Sequence, residues 1–350
     1  MVKHVFILTC GFILGAVLIE NKQYFARELP VAVAELPDAG RYDGKLLNGR
    51  FHGQGRIVWP SDAYYEGEFA HGLFHGEGLY HTPTFLYQGE FNSGNAEGKG
   101  IIHYANGAKY QGDVKHWVAD GEGVLEADTF SYEGHFRNEQ YHGQGTLTQA
   151  DGSVYVGAFE KGEFHGHGVY THSDGTRYEG NFYQGELTGP GVLADNDKHY
   201  QGDFKQGKMY GSGVLTTVEG VYTGSFVDNL YNGQGEYVAT DGVHYRGQFT
   251  AGRYHGKGQL TDTQGDRYEG EFQHGLKHGQ GLLTYAQALD GVATIKGEWR
   301  YGKLVATTEP DKQWLIVDEG QLVEHALYQQ QQVLERALTA VVSHDPDKID

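Results

Sequence analysis

Cysteine is nearly missing: the 350-residue chain has one, Cys10, inside an N-terminal apolar segment. The rest of the chain therefore has no disulfide and no thiolate metal site, a composition that suits an oxidising compartment. Proline is scarce at 7, which excludes a disordered Pro/Gly segment even though glycine reaches 54. Positive charge is short as well: 27 Lys and Arg against 46 Asp and Glu leave a net −19. That excludes nucleic acid held by bulk electrostatics and argues against simple attraction to anionic lipid. Catalytic signatures are absent: no G-x-x-x-x-G-K-[ST], no H-E-x-x-H and no G-x-S-x-G. The many G-x-G units lack the third glycine and the helix of a dinucleotide site. The expectation is a protein that is not an enzyme and that carries no cofactor and no metal.

What is present is glycine with aromatics, 25 Tyr and 17 Phe, the composition of tight turns between aromatic strands. They follow a period. Tyr65 opens YEGEFAHGLFHGEG, Tyr132 opens YEGHFRNEQYHGQG, Tyr155 opens YVGAFEKGEFHGHG and Tyr268 opens YEGEFQHGLKHGQG. The frame is Y-x-G-x-F, a spacer, then H-G-x-G. Its starts are Tyr42, Tyr65, Tyr87, Tyr110, Tyr132, Tyr155, Tyr178, Tyr200, Tyr222, Tyr245 and Tyr268, each 22 or 23 residues after the last, with a degenerate copy at Ile295. Leu46 and Val114 replace the aromatic of Y-x-G-x-F, and Trp117 stands where the spacer glycine belongs.

This frame resembles the MORN (membrane occupation and recognition nexus) repeat, which has the same Y-x-G-x-[FW] start and G-x-G end. The resemblance covers residues 42 to about 304. It implies membrane-associated scaffolds, or modules fused to kinase or methyltransferase domains; no second domain here is large enough for an enzyme.

The histidine of H-G-x-G is His52, His75, His142, His165, His255 or His278, but Glu97, Asp120, Thr188, Tyr210 or Asn232 elsewhere. An obligatory ligand or base does not tolerate such exchange, whereas the two glycines are never exchanged. The demand is on the backbone, for positive φ or close approach of neighbouring chains. The motif YHGQG at 141–145 therefore reads as a turn that starts a strand. The structural residues of the frame are Tyr65, Gly67, Phe69, Gly76 and Gly78; Tyr132, Gly134, Phe136, Gly143 and Gly145; Tyr155, Gly157, Phe159, Gly166 and Gly168; and Tyr268, Gly270, Phe272, Gly279 and Gly281. Asn106-Gly107, Asp151-Gly152, Asp174-Gly175 and Asp241-Gly242 signal two-residue type I′ hairpins. The fold expected is all-β: an elongated single-layer antiparallel meander of about 12 β-hairpin repeats, with Tyr and Phe stacked as ladders.

Outside the array, residues 5–19 (VFILTCGFILGAVLI) carry no charge, and Lys3 and Lys22 flank them. No small-x-small cleavage site follows nearby, so 1–24 reads as an uncleaved signal-anchor rather than a cleaved signal peptide, with the array exported. Residues 25–40 read as a linker, 41–305 as the repeat array, and 306–350 as a final strand, KQWLIV at 312–317, and a helix. That helix caps the sheet edge; the alternative is a homodimer contact. The function expected is a membrane-tethered scaffold binding a protein partner, or lipid. The alternative is an exported glycan- or cell-envelope-binding module using the aromatic ladders. His165-x-His167, His71/His75 and His274/His278 are the pairs spaced for a metal, with turn histidines the plainer reading.

Overall fold

The computed structural model describes residues 32–35, 38–289 and 292–309. Twenty-five strands follow one another from Ala32–Glu35 to Lys303–Glu309, with no helix among the described residues. They form two compact units, one up to Gly175 together with Asn181–Glu186, the other Thr176–Gly180 together with Leu187 onward. Within each unit the strands pair antiparallel with their neighbours in sequence, the all-β meander expected. The expected anchor at 5–19 and the expected C-terminal strand and helix at 312 and beyond lie outside the described residues. Ala32–Glu35, inside the stretch read as linker, pairs with Arg41–Leu47.

Each repeat has two different turns. In the copy at Tyr65, strand Tyr64–Ala70 is joined to Leu73–Thr82 by His71 and Gly72, with φ of 56° and 88°. Two consecutive positive φ values make this the type I′ turn. The Asx-Gly pairs at the other junction make a different turn from the one expected. The Gly107 N–H donates to the Tyr104 carbonyl at 3.0 Å, and the Tyr104 N–H to the Ala108 carbonyl at 2.9 Å. Gly107 has φ 85° while Asn106 keeps a negative φ, so a type I turn is followed by one left-handed residue. The Asx side chain accepts from the backbone two residues on, as Asp151 does from Ser153 at 2.8 Å. The extra left-handed residue also accounts for the period. The 23-residue copies carry it; the 22-residue copies close with two residues, as where Thr82 pairs with Phe85.

The motif YHGQG corrects a second expectation. It lies inside strand Gln140–Gln149, downstream of the turn at Asn138–Glu139. Gly134 pairs with Gly145 but His135 pairs with His142, so Gly143 and Gln144 form a bulge. Gly143 has φ 61°, and Gly76, Gly166 and Gly279 take the same left-handed conformation at the corresponding bulges. The second glycine has another reason. Gly67 faces Gly78 across the hairpin, and a Cβ on Gly78 would stand 2.6 Å from the Tyr65 hydroxyl and 2.7–2.8 Å from its ring. Gly134/Gly145, Gly157/Gly168 and Gly270/Gly281 are the equivalent pairs. Backbone without side chains is what lets the tyrosine lie flat across its own hairpin.

That tyrosine is the core of the repeat. Tyr42, Tyr65, Tyr87, Tyr110, Tyr132, Tyr200, Tyr222, Tyr245 and Tyr268 are fully buried, and Tyr155 nearly so. Each hydroxyl donates to the carbonyl three residues on, for instance Tyr65 to Glu68 at 2.8 Å and Tyr132 to His135 at 3.0 Å. The Tyr65 ring stacks on Phe74 at 3.8 Å and meets Phe69 and the next repeat's Phe91 edge-on, both at 5.0 Å. One face of the sheet is thus a continuous aromatic layer within each unit, with Phe136, Phe159 and Phe272 in the same role.

Burial pushes the ladder phenols upward, Tyr200 and Tyr222 to about 12. A folded value above the unfolded value of about 10 stabilises the fold below that pH and loses the stabilisation as pH rises through the folded value. The expected result is a melting temperature insensitive to phenol ionisation up to about pH 10, then cooperative alkaline unfolding in which tyrosinate absorbance at the ladder positions rises together with the loss of sheet. Stepwise tyrosinate formation with the sheet intact would contradict the burial described.

Two departures from the frame have structural reasons. Ala96 occupies the place that Phe74 has in the preceding repeat, leaving Tyr87 without its stacking partner. Trp117, from the next turn, fills that space: its ring lies 6.0 Å from Tyr87, 5.6 Å from Phe91 and 5.0 Å from Tyr80. Lys277 takes the same place in the copy at Tyr268; it is 5% exposed, with its ammonium 5.2 Å above the Tyr268 ring. Burial lowers its pKa, and Asp262 and Asp266 oppose that shift.

Candidate interaction surface

Strand alternation sends the x residues of Y-x-G-x-F and of G-x-G-x to the face opposite the aromatic layer. In the first unit they make a row across the strands through successive pairs: Glu66 with Leu79, Leu79 with Gln88, Gln88 with Ile101, Ile101 with Gln111, Gln111 with Val124 and Val124 with Glu133. A second row, one bulge away, holds Glu77 opposite Glu90 and Lys99 opposite Asp113. Between the rows a groove of about 590 Å³ crosses the strands, floored by the backbone of Gly89, Gly100, Gly112, Gly123 and Gly134. Its side-chain lining is Glu77, Gln88, Lys99, Ile101, Gln111, Glu122, Val124 and Glu133.

The charges in the groove are partly engaged. Lys99 Nζ reaches Asp113 Oδ1 at 2.5 Å, and the Glu122 N–H donates to Asp113 Oδ2 at 2.9 Å. Burial pushes the Asp113 carboxyl up, but Lys99 and the Glu122 N–H together hold it below its ordinary value. Glu122 Oε1 lies 3.3 Å from His135 Nδ1. Glu77 and Glu133 are exposed, and among the described residues neither side chain has an ion-pair or hydrogen-bond partner.

The residues singled out from the sequence frame fall on the other side. Tyr65, Phe69, Tyr132, Phe136, Tyr155, Phe159, Tyr268 and Phe272 are buried in the aromatic layer. Their glycines serve the bulges and the close strand pairs. The frame therefore marks the scaffold, and the surface residues are the x positions, which the sequence reading passed over. The signal available was their variation: Glu, Gln, Leu, Val and Ile exchange there while the frame stays constant. The rings of the ladders lie against each other, 0–3% exposed at Tyr65, Phe69, Tyr87 and Phe91. The rings stacked on them, Phe74 and Tyr141 among them, are half-buried.

In the pairs spaced for a metal, His274 sits in a turn at φ 52°. His71 sits in a turn at φ 56°, and the bulge at Gly166 breaks the alternation between His165 and His167. His165 Nε2 lies 3.4 Å from Glu160 instead. His135 and His142 come within 6.2 Å across the strands. Among the described residues, no three His, Cys, Asp or Glu side chains gather to hold a metal ion. No described helix is long and apolar enough to cross a membrane.

Among solved structures the chain is similar to the SAS-4 (dCPAP) TCP domain of Drosophila melanogaster in complex with a proline-rich motif of Ana2, at 11% identity and TM-score 0.18, over 71% of this chain and 99% of that one. It is also similar to a catalytically inactive virginiamycin B lyase from Staphylococcus aureus with quinupristin, at 8% identity and TM-score 0.13, over 70% and 96%. Neither likeness is close enough to carry an argument. A search of curated proteins finds no match. The MORN repeat profile matches at 42–64, 65–84, 87–109, 132–154, 155–177, 178–198, 200–220, 222–243, 245–267 and 268–287. It passes over the copy at Tyr110, the one with Val114 and Trp117. That copy still folds as the others do, with the Tyr110 hydroxyl donating to Asp113 at 2.6 Å and its ring over Gly112 and Gly123. The matched segments make up more than half of the sequence, and the chain belongs to the MORN repeat family.

Proposed function

We propose that this protein is a non-enzymatic scaffold whose open polar face holds a protein partner and whose segment 5–19 tethers it to a membrane, with the array on the exported side. The observation that carries the reading is the division between faces. The ladder tyrosines are buried in internal packing, while the x residues line an open groove with a glycine floor. A glycine floor lets another chain approach the backbone closely. Lipid is the second candidate for this face; the net charge of −19 works against anionic headgroups. The tether is motivated by fifteen uncharged residues between flanking cations. The C-terminal residues from 312 are assigned the capping role, with a homodimer contact as the alternative.

The test is fractionation of the full chain in cells, with N-terminal mass and protease access from outside the membrane. An intact N-terminus, a membrane-bound protein and an externally cleaved array are expected. A soluble protein, or an array protected from outside protease, contradicts the tethered and exported reading.

A further inference from the structure

The groove of the first unit has a chemical character that narrows its occupant. Glu77 stands at one end and Glu133 at the other, both exposed and without a counter-charge. Between them lie Ile101 and Val124, partly exposed, alternating with Gln88 and Gln111. Lys99, the one cation of the lining, is already neutralised by Asp113 at 2.5 Å. The Gln side chains and glycine backbone suit a polypeptide, which offers amides of its own. From the strand of Glu77 to the strand of Glu133 is five strand steps, about 24 Å, which an extended peptide of about seven residues spans.

We infer that this groove takes a basic peptide segment of a partner protein, with Lys or Arg near both ends facing Glu77 and Glu133 and apolar side chains between them on Ile101 and Val124. The inference rests on the scaffold reading and adds the partner's chemistry to it. Charge complementarity is the deciding argument: the two free charges of the groove are both negative, and the net −19 of the chain steers cations toward it and anions away. An acidic or phosphorylated segment would put like charges against Glu77 and Glu133, and a nonpolar one would leave them facing apolar surface.

The experiment selects from a random linear-peptide phage library against the immobilised full chain. Recovered peptides are then measured by fluorescence anisotropy on the wild type, on Glu77→Lys/Glu133→Lys and on Val124→Trp, with thermal melts to show that both variants are folded. The expected result is enrichment of peptides with two or more Lys or Arg flanking apolar residues. Their affinity falls with ionic strength, falls at least about tenfold in the charge-reversed variant, and is lost when tryptophan fills the groove. Enriched peptides that lose binding to Val124→Trp but are acidic or uncharged, or that ignore the charge reversal, leave the groove a binding site and overturn its preference for cations. Peptides indifferent to both variants, or no enrichment, overturn the groove as a site and this inference with it.

Discussion

Gly78→Ala is expected to be among the most damaging single-methyl changes in the chain, at about 3 kcal/mol or more against the 1–3 kcal/mol usual for overpacking. The added Cβ would lie 2.6–2.8 Å from the hydroxyl and ring of Tyr65, which is fully buried between Phe69, Phe74 and Phe91 and has nowhere to move. Gly162→Ala makes the informative contrast. Its Cβ would meet nothing within 4 Å, but φ is +84°. The cost there is backbone strain alone, about 1 kcal/mol, and Gly162→Asn should recover most of it because asparagine tolerates the left-handed region. At Gly78 asparagine gives no such rescue. Chemical denaturation and hydrogen exchange of strands Tyr64–Ala70 and Leu73–Thr82 provide the readout. Equal costs at the two sites would show that the glycines serve one common purpose, contrary to the geometry described.

The second large effect is a coupling. Ala96→Phe restores the ring that other repeats stack on their tyrosine, yet it is expected to destabilise by about 1–3 kcal/mol because Trp117 already fills the space beside Tyr87 and Phe91. Trp117→Gly restores the usual turn residue and relieves a φ of 72°, yet it opens a void over Tyr87 and is expected to cost about 1–3 kcal/mol net. The double variant carries the frame's own residues at both places and is expected within about 1 kcal/mol of wild type, so the two changes couple by about 1 kcal/mol or more. Additive losses in the double-mutant cycle would mean that Trp117 does not substitute for the missing ring.

The strand content and the ladder were legible in the sequence because tyrosine, glycine and phenylalanine recur in a fixed frame with period-2 spacing. The bulge was not. A glycine needed for positive φ, Gly143, and a glycine needed for space, Gly145, look alike in sequence; only the pairing of His135 with His142 beside Gly134 with Gly145 separates them. The turns were misassigned for a related reason. Asp151-Gly152 is compatible with a two-residue hairpin or with a three-residue turn ending in a left-handed glycine, and the pairing around Gln149 and Ser153 selects the second. Trp117 was visible as an exception, but its reason lies in Ala96, about one repeat upstream. The candidate interaction surface was the least legible part. Its residues are the ones the repeat leaves free, and a search for constant positions moves away from them.

If the aromatic face is scaffold and the groove seats a partner, a cross-linker placed in the groove captures that partner. Photo-cross-linking in the native cell tests it most directly, with benzoylphenylalanine placed at Gln111 in the groove and, as a control, at the exposed turn residue Lys161. A discrete protein adduct from position 111 that is missing from position 161 is expected. Adducts of equal yield at both positions, or none from the groove, would contradict it.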